Sequence, residues 1–249
     1  MMAAAGESRL ESAEGRVLPL TGEGDWHLRF GGRRWRYDRH GVYLRDGRGG
    51  ERLLRSVGEP VTCQAIWQRF GSAMLAVAGQ FELAPELLVM TVATESAAAR
   101  RHGFTGPTTF RWEPHVWVRD VTPPFQGDYS AGPLQTLATT ARWVIQVQRL
   151  PLDGFQVAPV IHAPPVSAPL EHPLYRPEIS LMLGAAIIKQ RWEQTGADPV
   201  LVAAAFNAGG IYRSTGNPWH LASHGDHLDR AAAWYGDACA VLQAAGVRS

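Results

Sequence analysis

Three short stretches of the chain follow one another in an order that could build one chemical site. Glu95 directly precedes Ser96 at the end of an apolar segment. The second stretch reads Ser-Ala-Gly-Pro-Leu-Gln over residues 130–135, and the third reads Ala-Phe-Asn-Ala-Gly over residues 205–209. A carboxyl group can transfer a proton, and an amide side chain can both donate to and accept from a sugar hydroxyl. These residue types together suit an enzyme that cleaves a glycan.

Glu95 is the candidate proton donor. It lies at the C-terminal end of a predicted helix, where the helix dipole and the neighbouring apolar surface both disfavour a negative charge. Both effects raise the pKa of a carboxyl group, as a general acid needs in order to protonate a glycosidic oxygen near neutral pH. The alternative interpretation is an ordinary solvated glutamate at a fraying helix end.

The two later stretches also have simple alternatives. Gly132 and Gln135 belong to a predicted turn that runs into a helix, where glycine allows close backbone approach to a ligand and the amide can contact a sugar. The alternative is a plain helix N-terminus that begins at Ser130. Asn207 with Gly209 is equally typical of a helix that ends at a glycine.

The elements that must position these residues are mostly predicted helices. Apolar periodicity predicts helices over residues 63–80, 85–99, 134–147, 178–194, 199–208 and 226–244. Residues 103–129 are rich in glycine and proline and are expected to be mostly loop, with one short element around 113–118. The proline-rich segment 150–178 is expected to be a cleft wall or a lid.

The N-terminal part follows a different pattern. Residues 1–15 are expected to be frayed, and apolar residues then alternate with polar ones from about residue 16 to 56, which predicts an antiparallel meander of short strands. Nine arginines between Arg29 and Arg55 predict a basic surface, which we interpret as a solvated sheet face, with a docking or wall-binding face as the alternative. The predicted fold is therefore mainly α, with a small β module over residues 1–58 and a helical domain over residues 59–249.

Composition narrows the classes of function. A formal charge of +1 and a pI near 7.9 give no general argument for a nucleic-acid partner, and we find no nucleic-acid recognition motif. No segment reaches the ~18–20 apolar residues of a membrane span. Cys63 and Cys239 are expected to be free buried thiols, although one bridge between them is the alternative. His220, His224 and His227 match no strong zinc spacing.

The three stretches, in this order, resemble the soluble lytic transglycosylase and goose-type lysozyme family. In that family a Glu-Ser pair is followed by a Gly-Leu-Met-Gln turn and then by Ala-Tyr-Asn-Ala-Gly. The resemblance spans roughly residues 65–237. The segments 111–114, 136–142, 177–185 and 227–231 also resemble a bacterial and phage branch of the family.

The resemblance implies a lysozyme-like fold and cleavage of the bond between N-acetylmuramic acid and N-acetylglucosamine in peptidoglycan, with no metal or organic cofactor. Glu95 would protonate the leaving oxygen and then act as a base, Gln135 and Asn207 would contact the sugar, and Ser96 would support the site. The substrate-binding set implied in this way comprises Ser96, Tyr129, Ser130, Gly132, Gln135, Phe206, Asn207 and Tyr212. Candidates for stacking on sugar rings are Trp112, Trp117, Phe206 and Trp219.

The chain departs from the family pattern at several positions. Pro133 and Leu134 replace a leucine and a methionine, and Phe206 replaces a tyrosine, so that Tyr129 or Tyr212 would have to supply the missing hydroxyl. The gap between Glu95 and Gly132 is also longer than the family usually shows.

The long gap bears on the mechanism. A lytic transglycosylase needs one carboxyl group, because the 6-hydroxyl of the sugar itself attacks. An inverting hydrolase needs a second carboxylate ~6.5–9.5 Å away to activate water. The candidates are Glu113, Asp120 and Asp128, and the alternative for Glu113 is structural pairing with Arg111 or Arg119.

The expected partners are peptidoglycan strands and, in addition, a delivery apparatus or an inhibitor protein. The first residues lack the basic region and the apolar run of a secretory signal. We therefore expect synthesis in the cytoplasm and delivery to the periplasmic or extracellular wall by phage lysis, a virion or a secretion machine. The competing classes are a non-catalytic wall-binding or virion structural protein, and a chitinase-like enzyme.

Overall fold

A computed structural model describes residues 22–27, 29–97, 104–119, 121–152 and 172–247. The predicted frayed start, Leu28, Asp120 and most of the proline-rich segment lie outside these ranges. Within them the chain forms seven α-helices and six strands. The strands are β1 (Trp35–Asp38), β2 (Gly41–Arg45), β3 (Glu51–Leu53), β4 (Phe110–Val118), β5 (Phe125–Ala131) and β6 (Thr136–Leu137). The helices are α1 (Val61–Phe81), α2 (Pro85–Ser96), α3 (Ala138–Gln148), α4 (Pro177–Gln190), α5 (Trp192–Thr195), α6 (Pro199–Ala208) and α7 (His227–Ala244).

The fold is mixed rather than mainly α, which corrects the prediction. The strands form two antiparallel three-stranded sheets, in the orders β1-β2-β3 and β4-β5-β6. The second sheet was predicted as loop because glycines and prolines punctuate residues 103–129. Between those residues, however, β4 carries aromatic and β-branched side chains that suit a pleated surface. The register of the hairpin pairs Glu113 with Asp128 and shifts between Glu113 and Trp117.

Helix α2 lies at the centre of the helical part. It packs against α1 and α7, and all of its residues except Glu95 are buried. Because a helix that is apolar all round is stable only when other elements surround it, α2 is held rigidly along its length. Pro85 occupies its first turn, as predicted. The consequence for the site is that Glu95, at the end of α2, has a fixed position.

The first sheet packs on α7 and shares the core of the helical part. Its inner face buries Trp35, Tyr37, Val42 and Leu44. The indole Nε1 of Trp35 donates to Asp198 Oδ2 at 2.9 Å, in the turn before α6. Trp26, Arg29 and Phe30 belong to no strand, and His27 makes only an isolated bridge with Trp35. The change from strand to helix falls near residue 58, as predicted, since α1 begins at Val61.

Most helix bounds agree with the prediction, and two differ. Helix α3 begins at Ala138 rather than near residue 134, because a turn and the short strand β6 precede it. The predicted helix over residues 178–194 is interrupted at Arg191, between α4 and α5. The two cysteines are free and buried, as expected. In the described part of the chain, no helix is long and apolar enough to cross a membrane.

Candidate active site

A cleft of about 930 Å³ runs between the helical part and the second sheet. Its walls come from the end of α2, the β4–β5 hairpin, residues 135–137, α3, and the adjoining ends of α4, α6 and α7. Six of the predicted site residues line it, namely Glu95, Glu113, Ser130, Gln135, Phe206 and Asn207. The three sequence stretches are thus brought together around one cavity.

Glu95 is set into the wall of this cleft with only 11% of its side chain exposed. Burial raises the pKa of its carboxyl group to about 7, and nearby Glu113 adds to this, while Arg111 and Arg230 act in the opposite direction. His227 Nε2 lies 3.7 Å from Glu95 Oε1. Burial and Arg230 lower the pKa of His227 to about 4, so its ring is neutral at pH 7 and does not hold Glu95 ionised.

Ser96 fastens the end of α2 to the glycine turn. Its hydroxyl is fully buried and donates a short hydrogen bond to the Pro133 carbonyl. The Thr105 hydroxyl donates to the Ser96 carbonyl at 2.9 Å. Ser96 does not line the cleft, so it supports the site and is not placed to bind substrate.

The glycine turn connects two strands and does not begin a helix. Gly132 has φ +80°, and a Cβ on it would lie 1.8 Å from the Leu174 carbonyl oxygen, so a glycine is required there. This close approach packs the turn against Leu174. Gly132 is needed for the conformation of the turn and does not line the cleft.

The side-chain amide of Gln135 is already used by the protein. Its Nε2 donates to the carbonyls of Thr109 at 3.1 Å and Gly132 at 3.0 Å, and its Oε1 accepts from the Ser130 hydroxyl at 3.1 Å. Gln135 therefore lines the cleft as a rigid wall, with only the remaining lone pair of Oε1 available to a ligand. The expected contact between Gln135 and a sugar stays a prediction.

The contacts of Glu113 agree both with a structural ion pair and with a carboxylate in the cleft. Arg111 Nε donates a short hydrogen bond to its Oε1, which is the predicted structural pairing. The Ser130 hydroxyl lies 3.2 Å from the same oxygen and shares its one proton between this oxygen and Gln135 Oε1. His115 Nδ1 lies 3.8 Å from Glu113 Oε2. The carboxylate is also buried in the cleft wall, close enough to influence Glu95.

Asp128 does not serve as a second cleft carboxylate. It shares a face of the hairpin with Glu113, its cross-strand partner. Its Oδ2, however, accepts hydrogen bonds from the backbone N–H of Thr139 at 3.2 Å and from the Thr139 hydroxyl at 2.5 Å. Asp128 thus secures the start of α3 and is absent from the cleft lining.

Neither tyrosine proposed to replace the missing hydroxyl reaches the cleft. The Tyr129 hydroxyl is buried and lies 3.0 Å from His172 Nε2, since the alternation of β5 turns this side chain away from Ser130. Tyr212 is half-buried and packs over Gly210.

Asn207 and Phe206 line the cleft at the end of α6. Asp198 caps the start of that helix by accepting from the backbone N–H of Val200 and Leu201. Asn207 Oδ1 accepts from the backbone N–H of His224 at 3.2 Å. The bond leaves the amide nitrogen of Asn207 as a donor that has no hydrogen-bond acceptor among the described residues.

The cleft residues that sequence reasoning did not single out include Thr136, Trp143 and Arg191. Thr136 Oγ1 is buried and has no hydrogen-bond partner within the described ranges. Trp143 is 41% exposed on α3, opposite the buried Ala141 and Val144, and a tryptophan on the polar face of a helix was a readable signal. Of the predicted stacking residues, Trp219 is core, Trp112 packs against the core, and Trp117 is exposed outside the cleft.

Two of the three histidines singled out near the C-terminus lie at this cleft, and His220 does not line it. His224 and His227 line it. The described residues contain no group of three or more metal-ligating side chains placed to hold an ion.

Comparison with known proteins found no matching family model, no similar curated protein and no similar solved structure.

Proposed function

We propose that the protein cleaves peptidoglycan glycan strands between N-acetylmuramic acid and N-acetylglucosamine, with Glu95 as the general acid and base. The observation that carries the proposal is the nearly buried Glu95 carboxyl group, with a pKa of about 7, in the wall of a 930 Å³ cleft. Clefts of roughly 300–1,000 Å³ are the usual size of small-ligand sites. The proposed lysozyme-like fold remains part of this proposal.

Glu95 has the properties that proton transfer to a glycosidic oxygen requires. With a pKa of about 7, a large share of the molecules carry the proton at neutral pH, while the carboxylate left after transfer is still a competent base. Its immobile position on α2 keeps the acid in one geometry, which matters because misplacement by about 1 Å can cost roughly 100-fold in rate.

The lytic transglycosylase reaction is the mode that we propose. Glu95 gives its proton to the leaving oxygen as the bond to C1 of the muramic acid breaks. The 6-hydroxyl oxygen of the same sugar then bonds to C1, and its proton returns to Glu95. No second carboxylate is needed, which fits a Glu113 whose Oε1 already accepts from Arg111 and Ser130.

Hydrolysis with Glu113 as the base is the second candidate, because its carboxylate lies in the same cleft wall as Glu95. Mass spectrometry of the released muropeptides separates the two modes. A transglycosylase leaves 1,6-anhydro ends, whereas a hydrolase leaves reducing ends that are heavier by one water.

The proposal is tested with Glu95→Gln, which keeps the shape of the side chain and removes the transferable proton. We expect cleavage of purified cell walls to fall by about 10²–10⁴-fold, the usual contribution of a general acid. The matched control is Glu178→Gln, an exposed glutamate paired with Arg176 outside the cleft, which should retain full activity. Full activity in Glu95→Gln would refute the assignment.

A non-catalytic wall-binding protein would give a different pattern in the same assay. The wild-type protein would then sediment with cell walls without reducing their turbidity between about pH 5 and 8, the range in which Glu95 changes its protonation state.

A further inference from the structure

The first turn of α7 is fastened to the end of α2 beside Glu95. Arg230 in this turn donates from Nη1 to the carbonyl of Thr94, the residue before Glu95, at 3.2 Å. Because Arg230 also pairs with Asp226 at 2.9 Å, its side chain is held at both ends of the contact. The approach of α7 to the acid is therefore fixed.

His227 is the residue of this turn that faces the acid. It is the first residue of α7, its side chain is only 6% exposed, and its Nε2 lies 3.7 Å from Glu95 Oε1. Both side chains line the cleft. A hydrogen bond needs roughly 2.7–3.2 Å, so a small side-chain rotation would join the two atoms.

The position of the proton on the His227 ring follows from a contact on its other side. The ring forms a hydrogen bond to the backbone of Ala203 in α6, and this bond favours a ring N–H that donates to it. Because Nε2 is directed at Glu95, we assign this N–H to Nδ1. A neutral imidazole has one N–H and one lone pair, so the Nε2 that faces Glu95 carries the lone pair.

The charged groups around His227 keep its ring neutral. Burial and Arg230 lower the pKa of His227 to about 4, and His224 acts in the same direction. Asp226 acts in the opposite direction without reversing the shift. At neutral pH the ring therefore has no second proton to give to Glu95.

The Glu95 carboxyl group meets other charges on its remaining sides. Arg111 and Arg230 favour its ionised form, and Glu113 favours its protonated form. A lone pair beside Oε1 acts in the same direction as Glu113. It repels an ionised carboxylate, and it accepts a hydrogen bond from a protonated one.

We propose that His227 is a positioning residue for the acid, whose unprotonated Nε2 accepts a hydrogen bond from the Glu95 carboxyl O–H in the resting enzyme. The bond holds the proton on Oε1 until the O–H turns to the glycosidic oxygen. Through Ala203 the same ring also connects Glu95 to α6, which carries Asn207 near its end. This inference rests on the proposed function, since it concerns the acid of that reaction.

NMR of protein labelled with ¹⁵N-histidine tests the position of the ring proton. At about pH 7 the Nε2 of His227 should resonate as an unprotonated nitrogen and its Nδ1 as an N–H. His172 is the internal control, because its Nδ1 accepts from the backbone N–H of Leu174 at 3.1 Å and burial lowers its pKa. It should hold the opposite tautomer. A proton on Nε2 of His227 would overturn the proposal.

Titration of the same Nε2 resonance tests the hydrogen bond. Between about pH 5.5 and 8.5 the resonance should follow the ionisation of Glu95, with a midpoint of about 7, although the ring itself stays neutral. The change should vanish in Glu95→Gln and persist in the exposed control Glu178→Gln. A resonance that does not move in the wild type, or that moves equally in Glu95→Gln, would contradict the bond.

His227→Phe keeps a buried ring and removes the acceptor. We expect kcat for cell-wall cleavage to fall about tenfold, the size of one hydrogen bond. The alkaline limb of the pH profile should move to lower pH, because the acid form of Glu95 loses its partner. The matched control is His40→Phe, between β1 and β2 and outside the cleft, which should keep the wild-type rate and profile.

Two results with His227→Phe would speak against the positioning role. An alkaline limb that stays in place would mean that the ring only fills space. A limb that moves to higher pH would mean that the wild-type ring donates an N–H to ionised Glu95. Circular dichroism should show native folding of the variant, and the two NMR tests on the wild-type ring decide the proposal if the variant does not fold.

The NMR tests need no substrate, so they separate this proposal from the proposed activity. An Nε2 of His227 that is hydrogen-bonded to Glu95, in a wild-type protein that does not cleave cell walls, would refute the activity and leave the contact standing. Cleavage by a protein whose Nε2 carries the proton would refute the positioning role alone.

Discussion

The two three-stranded sheets are both antiparallel, with consecutive strands paired, but they bury different kinds of side chain. The sheet β1-β2-β3 turns apolar side chains inward, including Trp35 and Val42, and leaves most of its arginines at the surface. The sheet β4-β5-β6 and the turn between β5 and β6 also bury polar groups, namely Glu113, Asp128, Ser130, Gln135 and Thr136.

This difference indicates that the second sheet contributes less to stability than the first. Buried apolar side chains stabilise the fold directly, whereas buried polar groups cost free energy unless each has a partner. In the second sheet Glu113, Ser130 and Gln135 contact one another, and Asp128 bonds to Thr139. Thr136, whose hydroxyl has no partner among the described residues, lines the cleft. Exceptions to the rule that buried groups are apolar concentrate at functional sites, so we assign the proposed activity to the side of the second sheet.

The largest effect is expected from Trp35→Ala in the first sheet. The change removes a fully buried indole and its hydrogen bond to Asp198, and it should lower the free energy of unfolding by about 4 kcal/mol. Urea denaturation measures the loss. Trp35→Phe keeps a ring in the core and should lose less than half as much. A loss below about 1 kcal/mol for Trp35→Ala would mean that the sheet does not stabilise the fold.

The next largest effect is expected from Glu95→Gln, which should raise the free energy of unfolding instead of lowering it. Because the folded state raises the pKa of Glu95 from 4.5 to about 7, the folded protein binds the proton more tightly than the unfolded chain. Stability is therefore lost as the pH rises from about 4.5 to about 7. Glu95→Gln should be more stable than wild type by about 3 kcal/mol at about pH 8, with no gain at about pH 4. A pH-independent difference would show that Glu95 titrates normally.

Glu113→Gln should change the activity through the pH profile. Glu113 raises the pKa of Glu95, and its removal also leaves Arg111 without a partner, so both changes lower the pKa of the acid. We expect the alkaline limb of the rate profile to move to lower pH, with a loss of roughly tenfold at about pH 7 that is partly recovered at about pH 5. A loss of more than about 100-fold at every pH would instead identify Glu113 as the base of a hydrolase.

The smallest effect is expected from Asp128→Asn, the cross-strand partner of Glu113. The substitution weakens the bonds to Thr139 at the start of α3 and should lower stability by about 1 kcal/mol. The pH profile of cleavage should stay where it is in wild type. A shift like that of Glu113→Gln would show that both carboxylates of the hairpin act on the site.

The sequence predicted the helices well and the second sheet poorly, for a physical reason. Helices such as α1 and α6 repeat apolar residues with a local period, which can be read without knowledge of their neighbours. The hairpin of β4 and β5 depends on pairing between residues far apart in the chain, such as Arg111 with Ser130, which are 19 positions apart, and its polar side chains break the usual alternation.

The same contrast holds within the site. The position of Glu95 at the end of a buried helix was readable from the apolar run before it. The engagement of Gln135 and the distance of Tyr129 from the cleft were not, because they depend on which face of β5 and its turn points inward. Arg191 was missed because the helix break at which it lies does not show in the apolar pattern.

The carboxylate of Asp198 makes the N-terminal sheet inseparable from the rest of the protein. One oxygen caps α6, while the other lies 2.7 Å from His27 Nε2 and accepts from Trp35. A fragment that starts at residue 59 would retain a buried charge whose partners have been cut away, and α6 presents Asn207 at its far end. An engineered protein that contains this cleft must therefore also contain the N-terminal sheet.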